Sequence, residues 1–278
     1  MTGESVAERV KHKLLKGLDE PIYRIFQLKH FWQALEKKTL ALVKPSKWED
    51  PYEDMCMSTI ISDLSVTPFK SEPLEDLLPS AHAQCWSYEG SSDTLLRAYS
   101  RVIHDPQTKR NKSQDYEGVQ VRTTPRALLD HMKVWAKANS SAHFYLRQVN
   151  YMDETTIGNH GGRFIEDSIH RAGRSAMSDP NVRAELLFTK RNFFRHEDEV
   201  RLVCVGADIA DPEEPFFAEI DPTQLFQSVS FDPRLVTFEK REREAVARRL
   251  GYQGPFPEDG TYINIFFDLR LKNGWGNG

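Results

Sequence analysis

The chain has 278 residues, of which 39% are hydrophobic and 28% charged, and its formal net charge is −4 at pH 7. This composition is typical of a globular protein that buries a sizeable core without needing a metal or a disulfide. The negative charge argues against a global attraction to nucleic acid, although it leaves room for a local basic patch. The three cysteines, Cys56, Cys85 and Cys204, have no paired spacing, so neither a disulfide framework nor a CxxC zinc site is predicted.

The N-terminal segment is polar and has a helical pattern over residues 1–17, without the apolar centre of a signal peptide. No run of 18 apolar residues occurs, so no membrane span is predicted. We therefore expect a cytoplasmic protein in a reducing environment. We also expect a single domain over residues 1–278, with a core at about 20–270 and an N-terminal helical extension at 1–19.

Apolar periodicity and capping residues place the elements of the first half of the chain. A helix is predicted where four apolar residues recur at helical spacing, namely Leu28, Phe31, Trp32 and Leu35. A strand is expected at 39–43. A strand at 84–87 precedes a helix that Ser92 caps, and a strand at 118–122 precedes a helix that begins at Thr124-Pro125.

The second half has the same mixture of elements. Strands are predicted at 145–151, around Val200, at 216–220, at 228–231 and at 262–267. Helices are predicted before and after Asp179-Pro180, at Asp221-Pro222 and at 236–250. Loops are predicted at 104–115, 158–162 and 206–215. Because strands and helices are interspersed without a regular βαβ rhythm, the sequence predicts an α+β fold with a mixed, largely antiparallel sheet and flanking helices.

The segment from Lys190 to Val205 carries the strongest functional signal. Strand side chains alternate between faces, so Glu197, Glu199 and Arg201 are expected to point the same way. Burying an unpaired carboxylate costs several kcal/mol, so such a face is solvated, paired or used in chemistry. One interpretation is an ion-pair ladder with Arg201, Lys190 or Arg191. The other is a catalytic pair, in which one carboxylate acts at a sugar and the other at a nucleophile.

Two other short segments are candidates for ligand contacts. Arg24, after Tyr23, is either a salt-bridged surface residue or an anion clamp, since a guanidinium grips phosphate in a bidentate way. Ser87, at the end of a predicted strand, is a candidate polar contact, but no G-x-S-x-G elbow surrounds it. Residues 48–53 combine acids and aromatic rings, which is typical either of a structural turn or of a ligand-binding rim.

These motifs, in their order, resemble a bacterial family catalogued as a domain of unknown function. The matching segments are Tyr23-Arg24, Asp50-Pro51-Tyr52-Glu53, Cys85-Trp86-Ser87, 93–100, 118–124 and Lys190-Arg191 with Phe194, Glu197, Glu199 and Arg201. The resemblance covers roughly residues 20–235, and the last motif is its most specific part. The chain departs from the family pattern at Leu96, where Trp is usual, and at Glu49, where Asn is usual. The first departure weakens a role of that ring as a stacking platform.

The order of polar residues is also similar to that of the ADP-ribosyltransferase fold. Members of that superfamily hold NAD with an early Arg or His and a middle Ser or Tyr, and a late Glu stabilises the ribose cation or positions the acceptor. The binding residues that this resemblance implies are Arg24, Tyr23, Trp86, Ser87 and Tyr99. The catalytic residues it implies are Glu199, acting at the nicotinamide ribose, and Glu197, acting at the acceptor. NAD is then a substrate, and the carry-over is an analogy at the level of the fold.

We therefore expect an NAD-consuming, ADP-ribosyltransferase-like enzyme that binds NAD or another nucleotide and acts in phage defence or as a toxin. Its acceptor and its oligomeric state are not predicted. One alternative is a metal-dependent nuclease or phosphohydrolase with Mg²⁺ bound by acidic residues, namely Asp50, Glu53, Glu197 and Glu199. A second alternative is a non-enzymatic ligand-sensing module in which the acids are paired with arginines.

Overall fold

The computed structural model describes residues 4–257 and has a seven-stranded sheet with helices on both faces. The strands are β1 Val10–Lys13, β2 Ile22–Gln27, β3 Thr39–Leu42, β4 Ile60–Asp63, β5 Lys70–Pro73, β6 Ala81–Ser87, β7 Gly118–Thr123, β8 His143–Gln148, β9 Asn150–Met152, β10 Thr189–Arg191, β11 Glu199–Val205, β12 Phe216–Glu219 and β13 Ser228–Phe231. The helices are α1 Val6–Arg9, α2 Leu28–Lys37, α3 Asp93–Tyr99, α4 Pro125–Ala138, α5 Glu154–Ala172, α6 Pro180–Leu186, α7 Pro222–Leu225 and α8 Thr237–Arg249. Short 3₁₀ helices include Pro51–Ser58 and Asn192–Glu197.

The large sheet has the strand order β1-β8-β11-β6-β2-β7-β13. Within residues 4–257 all of its neighbouring strands are antiparallel except β1 and β8. The remaining strands form three two-stranded sheets, which pair β3 with β12, β4 with β5 and β9 with β10. The predicted α+β class with a mixed, largely antiparallel sheet and flanking helices is therefore confirmed.

Two apolar layers cover the two faces of the sheet, and β11 contributes to both. Val200, Leu202 and Cys204 pack into the larger layer, to which α2 and α4 also contribute. Val203 and Val205 pack into the smaller layer, which includes Ala184 of α6. Every residue of β11 is buried. Because side chains alternate along a strand, Glu199 and Arg201 share the face of the smaller layer.

The sheet opens between two of its central strands. Within the described residues, β2 and β6 are paired only at Tyr23 and Ser87, whereas β2 pairs with β7 along its whole length. Further along, Ala83 of β6 bridges to Val43, just after β3, instead of to β2. The two strands therefore diverge after one paired position, which leaves a gap in the sheet.

The structure corrects three of the predicted elements. Residues 158–162, predicted as a loop, lie inside α5, whose buried face includes Ile157 and Ile165. A Cβ at Gly161 would collide with the sulfur of Met55, so glycine allows a close approach here instead of a turn. The predicted helical extension at 1–19 is helical, among its described residues 4–19, only at Val6–Arg9, and Val10–Lys13 is a strand at the sheet edge. The segment predicted as one strand at 145–151 forms parts of β8 and β9.

Most other predicted elements are confirmed. Ser92, Thr124 and Asp179 each accept a backbone hydrogen bond at the start of the helix they cap. Residues 206–215 contain no helix or strand, as expected. The predicted strand at 262–267 lies outside the described residues. No helix within residues 4–257 combines the length and the apolar character needed to cross a bilayer.

Candidate active site at the opening between two strands

The strand order brings together three segments that are far apart in the sequence. Ser87 of β6 lies opposite Tyr23 of β2 on one side and opposite Glu199 of β11 on the other. These three residues therefore form a row across adjacent strands, which are spaced about 5 Å apart. Arg24 follows Tyr23 directly, so the early arginine and the late glutamate that the sequence analysis selected lie two strands apart.

A cavity of about 300 Å³ lies where β2 and β6 diverge, and we call it the β2–β6 cleft. This volume is at the lower end of the range for small-molecule sites. Residues of β2, α2, β3 and β6 line it. Its polar lining consists of Arg24, Gln27, His30, Gln33, Thr39, Gln84 and Tyr99. The cleft thus combines a guanidinium with amide, imidazole and phenol groups.

Arg24 is the principal charge of the cleft, and its hydrogen bonding is incomplete. Its Nη1 donates to the backbone carbonyl of Cys85, and its guanidinium lies over the ring of Phe26, 5.1 Å from the centroid. Among residues 4–257, no hydrogen-bond acceptor contacts its buried Nε. Burial lowers the pKa of Arg24, and this effect is only partly opposed by Cys85, Tyr99 and Glu199. An anion in the cleft would offset the cost of burying this charge.

A compact group of charges lies near the cleft without lining it, close enough for Glu199 to act on the charge of Arg24, and we call it the Lys190 cluster. It consists of Lys190, Glu53, Glu197, Glu199 and Arg201. The Lys190 ammonium lies 2.7 Å from Glu197 Oε2, 3.0 Å from Glu199 Oε2 and 3.3 Å from Glu53 Oε1. Arg201 donates to Glu199 Oε1 at 2.7 Å, to the Leu187 carbonyl at 2.6 Å and to Glu53. Three carboxylates against two cations leave one net negative charge when all are ionised.

The cluster keeps Glu199 ionised. Burial would raise the pKa of Glu199, but Arg201 and Lys190 outweigh that effect and bring it to about 2. The pKa of Glu53 is raised, because burial there exceeds the effect of Arg201. The carboxylates in turn raise the pKa of Lys190 against the effect of its burial. The ion-pair ladder of the sequence analysis is thus present, and Glu199 is only 2% exposed.

The other residues selected from the sequence have different surroundings. Trp86 is 1% exposed and packs against Phe26 in the larger core, with its Nε1 donating to Gln84 at 3.0 Å. A ring buried to this extent in the core does not favour the contact with NAD that the resemblance implies for Trp86. Ser87 donates to the carbonyl of Glu197 and accepts from the amide of Glu89 at 2.8 Å. Ser87 therefore links the end of β6 by a hydrogen bond to the segment that carries Glu197.

Tyr99 and Tyr23 lie closer to the opening. Tyr99, at the end of α3, lines the cleft and is 49% exposed. Desolvation of the phenol by surrounding protein atoms, together with nearby Glu197, raises its pKa to about 12, so the hydroxyl remains protonated near neutrality. Tyr23 is half-buried, and its ring lies so close to Gly90 that a Cβ there would be 2.7 Å from it. Tyr99 is therefore available to a ligand, whereas the Tyr23 ring packs against the turn that precedes α3.

The acidic segment at 48–53 contributes to the site mainly through Glu53. Asp50 accepts from Arg191 Nε at 3.1 Å and caps the 3₁₀ helix that follows. The Arg191 guanidinium lies 5.1 Å from the centre of the Tyr52 ring. The guanidinium carbon of Arg201 lies 4.5 Å from the centre of the Trp48 ring. The segment is therefore a structural turn that carries one carboxylate into the Lys190 cluster.

The geometry does not favour the Mg²⁺ alternative. In the part of the chain that the structure describes, no group of three or more His, Cys, Asp or Glu side chains is arranged to hold a metal ion. Glu53, Glu197 and Glu199 do converge, but they converge on the ammonium of Lys190. Burial raises the pKa of the neighbouring Cys85 thiol well above its usual range, which is unfavourable for a thiolate nucleophile.

Several residues of the site have no signal in the sequence. His30, Gln33 and Gln84 line the cleft, but they lie on two elements joined only through the tertiary fold. His30 lies on the polar side of an amphipathic helix, where a surface role is the ordinary expectation. From the sequence, Glu53 is predicted as part of a structural turn, part of a ligand-binding rim or an Mg²⁺ ligand. The Pro-containing acidic turn gave no indication that this carboxylate is 7% exposed and paired with Arg201.

Comparisons with known proteins give two weak structural likenesses. One is to Thermus sp. 2.9 DarT in complex with ADP-ribosylated ssDNA, at 10% identity and a TM-score of 0.34, covering 87% of this chain and 94% of that chain. The other is to Thermus sp. 2.9 DarT in complex with NAD+, at 12% identity and a TM-score of 0.33, covering 88% and 96%. No family model and no curated protein matches the chain, so its resemblance to the uncharacterised bacterial family stays a prediction.

Proposed function

We propose that this chain consumes NAD as an ADP-ribosyltransferase-like enzyme, with NAD bound in the β2–β6 cleft. The observation that carries the proposal is the position of Arg24. Its incompletely bonded guanidinium lines a cavity of about 300 Å³, next to a buried cluster that has an ionised carboxylate at its centre. A buried cation favours a phosphate group, and a neighbouring net negative charge favours a sugar cation.

The proposed reaction begins with cleavage of the bond between nicotinamide and ribose. Nicotinamide leaves with the bonding electron pair, and positive charge develops on the ribose. Glu199 stabilises that charge without reorganising, because Lys190 and Arg201 fix both of its oxygens. A nucleophilic hydroxyl or amine of the acceptor then bonds to the ribose carbon and loses a proton.

Glu197 is the proposed group for the acceptor step. It lies at the edge of the Lys190 cluster, and its side chain is 14% exposed against 2% for Glu199. Of these two carboxylates, Glu197 is thus the one better placed to contact an acceptor and take its proton. The acceptor is open to test among protein, RNA and DNA, and action in defence or as a toxin remains a prediction.

The deciding experiment is to incubate the protein with NAD and measure free nicotinamide, with and without acceptor. Glu199→Gln keeps the shape of the side chain but removes its charge, and we expect the rate to fall on the order of 10²–10³-fold. Arg24→Gln should weaken NAD binding. Arg163→Gln, on the exposed face of α5, is the matched control and should leave both unchanged.

Circular dichroism and thermal melting of each variant separate loss of function from loss of fold. If folded wild-type protein neither binds NAD nor releases nicotinamide with any of the three acceptor classes, the proposal fails. Equal rates for wild type and a folded Glu199→Gln variant would exclude the proposed role of that carboxylate.

One observation favours a second candidate, a non-enzymatic nucleotide sensor. Glu199 is 2% exposed, and both of its oxygens are bonded to cations of its own cluster. A carboxylate of this kind serves stability as readily as catalysis. A sensor would bind NAD in calorimetry with no release of nicotinamide, and Glu199→Gln would then change the melting temperature but not the affinity.

A further inference from the structure

A second cavity, of about 470 Å³, lies at the opposite end of the sheet from β13. It is bounded by the edge strand β1, by β8 and by α6, and we call it the β1–α6 groove. Leu146 and Phe188 provide apolar lining. The volume is in the range that accommodates a nucleotide-sized ligand. Residues of the β2–β6 cleft do not line this groove, so it is a separate feature of the surface.

The charge of the groove is opposite to that of the protein. Three cations line it, Lys11, Lys13 and Arg147, against one carboxylate, Glu185. This leaves two net positive charges on a chain whose net charge is −4. Glu185 is already engaged, since its Oε2 accepts from Arg147 Nη1 at 2.6 Å. The excess positive charge therefore belongs to the lysines of β1.

Strand register places like charges side by side at this end of the sheet. Arg147 of β8 lies opposite Lys13 on one side and opposite Arg201 on the other. Like charges directly opposite each other on neighbouring strands destabilise a sheet unless they are compensated. Carboxylates compensate the inner two, through Glu185 and through the Lys190 cluster. The side chain of Lys13 makes no ion pair or hydrogen bond with any other residue of the described range 4–257.

Arg147 also has an unused donor. The residue is 6% exposed, and its guanidinium packs on the Phe188 ring, 5.2 Å from the centroid. Its Nε is buried and lacks a hydrogen-bond partner anywhere in the part of the chain that the structure covers. A buried donor without a partner destabilises the fold, and an anionic ligand would offset that cost.

We propose that the β1–α6 groove is a second ligand site, which binds a phosphate group through Lys11, Lys13 and Arg147. Two net positive charges match a phosphate better than a singly charged carboxylate, and Arg favours the planar, bidentate contacts that phosphate oxygens offer. Phe188 and Leu146 would contact an apolar or aromatic part of the same ligand. That phosphate belongs either to a free nucleotide or to a nucleic acid backbone.

A plainer role exists for these lysines, because lysine on an edge strand discourages pairing with another chain. The two roles differ in what they predict. Lysines that only protect the edge leave ligand binding unaffected when replaced, and their loss promotes self-association. Lysines that bind phosphate change the affinity for phosphate in a monodisperse protein.

The test is calorimetric titration of the full chain with inorganic phosphate, AMP and a short oligothymidylate. The double variant Lys11→Gln, Lys13→Gln removes the two exposed charges of β1. Lys133→Gln with Lys137→Gln is the matched control, since it removes two exposed charges from α4, which packs on the other core layer. Repeating the titrations with the Arg24→Gln variant excludes heat from phosphate binding to the guanidinium of the β2–β6 cleft.

We expect the β1 double variant to weaken binding about tenfold, equivalent to ~1.4 kcal/mol, while the α4 double variant binds as wild type. Competition between inorganic phosphate and AMP would assign the site to free phosphate ligands. Tighter binding of oligothymidylate with steep salt dependence would assign it to a nucleic acid backbone.

The proposal is overturned if none of the three probes binds or if both double variants weaken binding equally. It is also overturned if the β1 double variant only self-associates. Nicotinamide release plays no part in this test, so its outcome is independent of the proposed NAD chemistry.

Discussion

The Lys190 cluster and the β2–β6 cleft differ in how completely their charged groups are hydrogen-bonded. In the cluster, Glu199 and Arg201 are bonded through several of their polar atoms, and both are almost fully buried. In the cleft, Arg24 has one carbonyl partner and a buried Nε with no hydrogen-bond partner among the described residues. The cluster is thus preset by the protein itself, whereas the cleft has a donor left over, which the proposed function assigns to a ligand. Stability and binding should therefore respond to different substitutions.

The largest effect is expected from Arg201→Met. This substitution removes the guanidinium that bonds Glu53 and Glu199 and leaves excess negative charge in a buried place. Breaking a buried pair in this way typically costs about 3–5 kcal/mol in the free energy of unfolding. Urea denaturation measures it, with Arg163→Gln as the exposed control. A loss below about 1 kcal/mol would mean that the cluster is not desolvated as the structure describes.

Arg24→Gln should weaken NAD binding strongly while it changes the free energy of unfolding only slightly. It removes a single hydrogen bond to the Cys85 carbonyl, so we expect the unfolding free energy to fall by only about 1 kcal/mol. The affinity for NAD should fall at least about tenfold, because the charged donors that face the cleft are lost. Calorimetry and urea denaturation on the same preparation separate the two quantities. A large loss of stability with unchanged affinity would show that Arg24 is structural.

Lowering the pH is expected to have the smallest effect on the free energy of unfolding. The pKa of Glu199 is about 2 in the folded protein, below its ordinary value of 4.5. A carboxyl group with a depressed pKa contributes stability that is fully present above 4.5 and is lost as the pH falls toward 2. Linkage then predicts that protonation of this group lowers the free energy of unfolding of the wild type by about 1 kcal/mol between pH 7 and pH 3.5.

Glu199→Gln cannot show this loss, because its amide does not titrate. The difference in unfolding free energy between wild type and Glu199→Gln should therefore shrink as the pH falls from 4.5 toward 3.5. A difference that stays constant over this interval would contradict the depressed pKa. Measurements between pH 5 and 7 provide the baseline, since the group is ionised in both states there.

Local sequence determined much of the fold. The side chains of Ser92 and Thr124 accept backbone hydrogen bonds at the starts of α3 and α4, as their positions predict. The helix at 158–162 was missed because Gly158, Gly161 and Gly162 indicate a loop by composition. Packing of α5 against the 3₁₀ helix that contains Met55 outweighs that local preference.

The sequence alone determined that Glu199 and Arg201 share a strand face, since side chains alternate along a strand. Alternation was the wrong reason for Glu197, which ends the 3₁₀ helix Asn192–Glu197 and joins them through its salt bridge with Lys190. Only the tertiary structure decided that Glu53 joins them and that Trp86 faces the core. It alone also decided that β2 and β6 separate beside Arg24. The physical reason is that strand order and the divergence of two strands depend on how distant segments pack. Burial then sets the charge state and availability of each side chain, which the identity of the residue leaves open.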